Sequence, residues 1–190
     1  MNGIWEQLAR YRHVKSLPGG TRLLIRPLTL EDKDGLVDLF ARADKADLEY
    51  FRSDAGDRQI VEGWVDNLDL RRVFPLVAVV DNKIVGDATL HFGERYHRHL
   101  AWVRIFLDRA YRRRGIGTQM LRCLIDIARK AGLQQLYAEI VTSQSQVIKA
   151  FEDLGFQHEV TLRDYFIADS GETLDMAIMV LRLVERSGQF

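Results

Sequence analysis

Apolar residues recur along the chain with two periods, and their alternation divides it into short strands and amphipathic helices. Arg22-Leu23-Leu24-Ile25-Arg26 reads as a strand that Pro27 ends. Thr29, with Asp32 three positions on, gives a weak capping pattern before a helix over about Glu31 to Ala43, with Leu36, Leu39 and Phe40 on one face. Asp54-Ala55-Gly56 starts a second helix near Asp57 to Leu70, with Ile60, Val61, Trp64 and Leu68 at helical spacing. Pro75 to Val80 and Lys83 to Phe92 are β-branched runs separated by Asp81-Asn82, the pattern of an antiparallel hairpin. Leu100 to Leu107 is a third strand after the polar loop Gly93 to His99. From Gly117 to Ala131, Met120, Leu121, Leu124, Ile127, Ala128 and Ala131 follow the 3.6-residue period, with Gly132 just beyond. Gln135 to Val141 reads as a strand and Ser145 to Leu154 as a helix stopped by Gly155. Phe156 to Ile167 and Leu174 to Leu183 are the last two strands, around a turn at Ser170-Gly171.

The resulting order is β-α-α-β-β-β-α-β-α-β-β. No internal repeat or Ser/Gly-rich linker interrupts residues 21–183, so the pattern predicts one α/β domain with a single mixed sheet flanked by helices. Ahead of it, Ile4, Leu8 and Tyr11 keep loose helical spacing until Leu17-Pro18-Gly19-Gly20 breaks it. We therefore divide the chain into an N-terminal appendage (1–20), the domain (21–184) and a tail (185–190).

Composition removes several function classes. The chain has 190 residues, 47% hydrophobic and 28% charged, enough for one core and unlike disorder. Lys+Arg and Asp+Glu both total 27, so no global electrostatic footprint for nucleic acid or an anionic membrane exists. No run of about 18 apolar residues occurs and Glu6 interrupts the start, which predicts a soluble cytoplasmic protein. Cys123 has no partner for an internal disulfide and sits at an apolar helical position, as a buried reduced thiol would. No metal-ligand set is assigned.

The chemistry concentrates in Arg112-Arg113-Arg114-Gly115-Ile116-Gly117-Thr118, between a strand and the strongest helix. A Gly-x-Gly turn leaves backbone N–H groups unshielded, and a helix N-terminus adds about half a positive charge. The three arginines supply countercharge and Thr118 a hydroxyl, a combination suited to a pyrophosphate. It is neither a P-loop nor a dinucleotide fingerprint: residue 120 is Met and no P-loop lysine is present.

In context, the stretch from Ala101 to Thr118 resembles the acetyl-CoA-binding motif A of the GNAT acetyltransferase superfamily, with Arg112-x-x-Gly115-x-Gly117 matching its Gln/Arg-x-x-Gly-x-Gly/Ala pattern. Ala138-Glu139-Ile140-Val141 and the segment Gln144 to Phe156, ending in Leu-Gly-Phe, resemble the family's next strand and helix. Gly20 to Leu28 and Phe151 to Phe156 resemble the bacterial protein-lysine acetyltransferase branch.

The resemblance implies a mostly antiparallel twisted sheet and direct attack of a primary amine, on a protein lysine or a small molecule, upon acetyl-CoA. It places the pantetheine and acetyl carbonyl along the backbone of Ile105, Phe106 and Leu107, and the pyrophosphate on Arg112 to Thr118. Gln144 stands for the family's asparagine near the later helix, and Phe151 holds a further cofactor-side position.

An amine of pKa about 10.4 is neutral only about one time in 2,500 at pH 7, so a base or water relay is required. The family's usual glutamate and tyrosine fall at Trp102 and Phe151. Glu139, on the strand beside the cofactor strand, is the first replacement base, with His91 and His99 flanking a nearby loop; Tyr165 is the candidate thiolate acid. Each also has an ordinary structural use, as a paired surface carboxylate, a satisfied histidine or a packing tyrosine. Loss of the usual pair leaves a catalytically weak acyl-CoA-binding regulatory module as the alternative. The sequence leaves the oligomeric state open, a dimer included.

Overall fold

The computed structural model describes residues 3–51 and 54–184, so the tail at 185–190 lies outside the described residues. Eight strands form one sheet in the order β1-β2-β3-β4-β5-β6-β8-β7. They are β1 (His13–Ser16), β2 (Arg22–Pro27), β3 (Val73–Val80), β4 (Lys83–Phe92), β5 (Leu100–Leu107), β6 (Gln135–Val141), β7 (Gln157–Ile167) and β8 (Thr173–Arg182). All neighbours are antiparallel except β5 and β6. The helices are α1 (Gly3–Ala9), α2 (Lys33–Ala41), the short α3 (Lys45–Leu48), α4 (Arg58–Asp66), α5 (Ile116–Lys130) and α6 (Ser145–Glu152).

The predicted order holds from β2 onward, with α3 added between the first two long helices. The β3–β4 hairpin turns on Asp81 and Asn82, both left-handed (φ 49° and 61°), as a two-residue turn matched to strand twist requires. At the start of α2, Asp32 Oδ2 accepts from Thr29 N–H at 2.8 Å and Thr29 Oγ1 at 3.0 Å. Both Asp32 oxygens also accept from Arg26 at 2.6 Å. Burial opposes ionisation of Asp32, yet the Arg26 pair and the Thr29 donors hold its carboxyl below the ordinary carboxylate range.

Alternation along the strands sends side chains into two cores. On one face, α5 contributes Ile116, Met120, Leu124, Ile127 and Ala128 against Phe74, Leu76, Ala88, Val103, Leu136 and Ala138. On the other, α2 and α4 bury Leu36, Phe40, Val61 and Val65 against Val77, Ile84 and Phe106. Gly86 lets α5 and β5 close on β4: a Cβ there would lie 2.8 Å from Leu107 Cδ1 and 3.0 Å from Met120 Sδ. Cys123 is buried as expected, beside Tyr11, whose hydroxyl is held well above its ordinary value by burial and then by the thiol.

The expected appendage is an integral part of the domain. His13 to Ser16 pair with Ile25 to Arg22 as the edge strand β1. Leu8 and Leu17 enter the α5-side core, and the Trp5 ring meets Phe92 edge-on at 5.3 Å. The helical spacing of this segment was legible, but a four-residue edge strand with one half-buried position carries almost no alternation. Leu8 is 1% exposed. Leu8→Ala should therefore cost about 3 kcal/mol and lower the thermal midpoint by roughly 10 °C, measured by calorimetry. A dispensable appendage would show no change.

Candidate active site

The sheet divides at β5. This strand pairs with β4 over its whole length, from Gly86–Leu107 to Phe92–Ala101. With β6 it pairs only at Leu100–Gln135, Ala101–Leu136 and Trp102–Tyr137. β6 remains with β8 through Val141–Met176, so the two half-sheets diverge beyond Trp102. The edge of β5 from Val103 to Leu107 that faces away from β4 has no strand neighbour among the described residues. Backbone donors and acceptors on such an edge call for another partner.

The phosphate-shaped turn lies at the end of that edge. Arg113 (φ 58°) and Gly115 (φ 77°) are left-handed on either side of Arg114, an alternation that gathers N–H groups into an anion-binding concavity. Entering α5, the first amide to find a backbone acceptor is Gln119, bonded to the Gly115 carbonyl at 3.1 Å. The N–H groups of Ile116, Gly117 and Thr118 are thus left for a ligand or water at the positive end of a 15-residue helix. A Cβ on Gly117 would touch only Ile105 Cδ1, at 3.6 Å, so the approach to these amides is open.

The arginines do not act as the uniform countercharge the sequence suggests. Arg112 donates from Nε to the Leu107 carbonyl at 2.9 Å and from Nη1 and Nη2 to Asp47 at 3.0 and 2.7 Å. It is already neutralised, because α3 brings Asp47 beside the turn; Arg109 meets Asp44 in the same way at 2.6 Å. Arg113 is exposed and Arg114 lies over the Tyr111 ring at 5.4 Å.

Two other cofactor-side candidates separate. Gln144 is the half-buried residue before α6, and its side chain makes no cap bond to the helix. Phe151 is 2% exposed and packs edge-on against Phe156 at 4.9 Å. The inward face of α6 thus places it in the α5-side core.

On the α4 side of β5 lies a cavity of about 400 Å³. Leu28, Leu36, Phe51 and Trp64 form its apolar wall, and Asp87, Thr89, His91 and Arg104 its polar floor. Asp87, Thr89 and His91 alternate along one face of β4, opposite Phe106, Arg104 and Trp102 of β5. His91 Nε2 and Thr89 Oγ1 are 3.0 Å apart.

Of the three catalytic candidates, only His91 lines this cavity. Glu139 is half-buried on β6, two residues past the last β5 pair. The pattern Leu136, Ala138 and Ile140 toward α5 puts it on the cavity's side of the sheet. Tyr165 is 56% exposed at an irregularity of β7 between Leu162 and Phe166, outside the cavity. Trp102 sits at the apex of the split, its ring 6.3 Å from both His97 and Tyr137.

Asp87 is not among the residues that the sequence singles out. It is 9% exposed on the cavity floor, and among the described residues no ion pair or hydrogen bond reaches its carboxyl. Burial pushes that carboxyl up to about 7. The available signal was an acid in the middle of an otherwise apolar strand, Ile84-Val85-Gly86-Asp87-Ala88.

The model of the Acetyltransferase (GNAT) family matches residues 37–156. The [Ribosomal protein bS18]-alanine N-acetyltransferase of Escherichia coli K12 is 35% identical over 131 residues, covering 69% of this chain and 76% of that protein. Two solved structures share the fold. The Salmonella typhimurium protein yncA, with its cofactor acetyl-CoA, has TM-score 0.74 and 22% identity over 88% of this chain and 98% of its own. A ribosomal-protein-alanine N-acetyltransferase from Brucella melitensis has TM-score 0.73 and 24% identity over 83% and 98%. No helix among the described residues is long and apolar enough to cross a membrane.

The Asp87 carboxyl gives the fold a pH signature. The unfolded chain loses this proton near pH 4, whereas the folded chain holds it to about pH 7. The folded state thus binds more protons across that window, and stability falls as pH rises through it. Urea unfolding of Asp87→Asn against wild type should show the gap moving in the variant's favour by roughly 2–4 kcal/mol between pH 4 and pH 8. A gap that stays constant would contradict this account of Asp87.

Proposed function

The chain belongs to the GNAT acetyltransferase family, and from that premise we propose that this N-acetyltransferase transfers the acetyl group of acetyl-CoA to the α-amino group of a small apolar residue. The observation that carries the reading is the split at β5, which sets an unpaired strand edge between the open amides of α5 and the cavity beneath α4. In this reading the amides of Ile116, Gly117 and Thr118, with Arg113 and Arg114, hold the pyrophosphate. The backbone of Ile105, Phe106 and Leu107 holds the pantetheine arm and the acetyl carbonyl, and Gln144 supplies an amide from the facing side. Arg112 orients the turn through Asp47 and the Leu107 carbonyl. When bound, acetyl-CoA supplies an activated thioester carbon.

The α-amine is favoured over lysine by the chemistry left in place. An α-amino group of pKa about 7.7–8.0 is neutral in roughly one molecule in ten at pH 7, against about one in 2,500 for lysine. A site with Trp102 and Phe151 where the family's usual acid–base pair falls meets the smaller demand more easily. The relative of Escherichia coli, named for an alanine acceptor, supports the same class. Glu139 and His91 are candidates for relaying the proton.

Release of free CoA thiol tests the acceptor. An alanine-initiated hexapeptide should turn over at least tenfold faster than the same peptide blocked at its amino terminus and carrying one internal lysine. Preference for the lysine peptide would restore the lysine reading, and acetyl-CoA binding without release on either would leave a binding module. For the cofactor site, Gly117→Val should weaken acetyl-CoA binding at least tenfold with the thermal midpoint shifted by no more than about 3 °C, since a Cβ there makes only an ordinary contact, 3.6 Å from Ile105 Cδ1. Unchanged affinity would count against the turn as the pyrophosphate site.

A further inference from the structure

We infer that Asp87 receives the acceptor's ammonium group in the cavity beneath α4 and takes up its proton. The inference rests on that cavity being the acceptor site. It begins from a carboxyl with no evident structural use: an acid buried without a counter-ion costs the fold stability, and nothing among the described residues repays it. Asp32, also buried, shows the contrast, with Arg26 and Thr29 saturating its oxygens.

The surroundings leave the Asp87 carboxyl open to a cation from the cavity. Leu36 of α2 and Trp64 of α4 line the cavity over the floor, Leu28 and Phe51 extend the wall, and Val77 of β3 is the cross-strand neighbour of Asp87. The other charged or titratable groups facing the cavity are His91 and Arg104 on the same sheet face, and Asp69 and Arg72 after α4. An entering ammonium would give Asp87 both a countercharge and hydrogen-bond donors.

Placement also suits the reaction. Asp87 is opposite Phe106, one strand spacing of about 4.8 Å from the middle of the three residues proposed to hold the acetyl arm. The ammonium gives one proton to the carboxylate, leaving a neutral amine and a carboxylic acid. As the amine nitrogen forms its bond to the acetyl carbon, the carbon–sulfur bond breaks, and the nitrogen's surplus proton leaves with the thiolate as the thiol. A carboxyl held near neutrality by burial can perform that first transfer and release the proton afterwards.

The test uses the full chain, Asp87→Asn and Asp87→Glu with the alanine-initiated hexapeptide. By calorimetry, wild-type affinity should rise about tenfold from pH 5.5 to pH 7.5, as the carboxyl ionises while the peptide amine is still mostly charged. The amino-terminally acetylated peptide should show no rise, Asp87→Asn should bind weakly at both pH values, and Asp87→Glu should recover part of the dependence. In turnover, the acidic limb of kcat/KM near pH 7 should vanish in Asp87→Asn while its thermal midpoint shows a folded chain.

An acidic limb that keeps its midpoint in Asp87→Asn comes from another group and overturns the assignment. So does peptide affinity independent of pH or of residue 87, or no binding to wild type at either pH. Binding that depends on Asp87 and pH, without thiol release by wild type, would remove the transfer reading and leave this one standing.

Discussion

Three residue pairs between β5 and β6 are the constraint on which the site depends. A longer ladder would close the sheet and spend the backbone groups of Val103 to Leu107 on a neighbouring strand. A shorter one would detach β6, β8 and β7 from the rest. Each strand is held firmly on its other side, β5 by β4 and β6 by β8, so the divergence is built into two rigid half-sheets. The cleft is consequently a property of strand pairing, and ligand binding need not open it.

The two faces of β5 then serve different tasks. Toward α5, Ala101 and Val103 enter the larger core and fix where the helix begins, so its open amides emerge at the end of the unpaired edge. Toward α4, Trp102, Arg104 and Phe106 look into the aromatic side of the protein, where Phe106 stacks on Phe40 at 5.1 Å. The ion pairs Arg112–Asp47 and Arg109–Asp44 connect these regions by tying the α3 segment to the turn. A side chain expected to face phosphate thereby becomes a bracket between the two halves of the site.

Most of the fold was readable because its elements carry strong periods and clear punctuation. The bounds of β4, β5 and β6 fall where alternation and flanking polar residues place them. β1 was not readable, since pairing to β2 rather than its own pattern makes it a strand. The turn from Arg112 to Thr118 was legible as a candidate anion site because Gly-x-Gly before a helix has a local physical meaning. The partners of Arg112 were hidden, because Asp47 lies 65 residues away and no local pattern encodes that contact. Asp87 was hidden for a related reason: an acid in a strand reads as a surface residue until the helices that cover it are known. Phe151 has the opposite history: the resemblance gives it a cofactor-side position, and the fold shows it as a buried core residue.

On the proposed reading, the burial of Asp87 explains how a site with Trp102 and Phe151 where the resemblance puts the family's usual pair handles an amine. Moving a proton from an α-ammonium of pKa near 8 to a carboxylate in water near 4 is uphill by about 5 kcal/mol, whereas a carboxyl raised to about 7 reduces this to about 1.4 kcal/mol. From a lysine ammonium to that carboxyl the climb is still about 4.6 kcal/mol. On the proposed reading the cavity couples acceptor choice to stability: the apolar wall that makes Asp87 costly to the fold also brings it into range of an α-amine and leaves a lysine out of range. On that reading the wall has two tasks, since Leu36 and Trp64 also pack the α2–α4 core around Phe40: a polar residue at either position would lose core packing as well as the match, so stability and acceptor preference are linked at this wall.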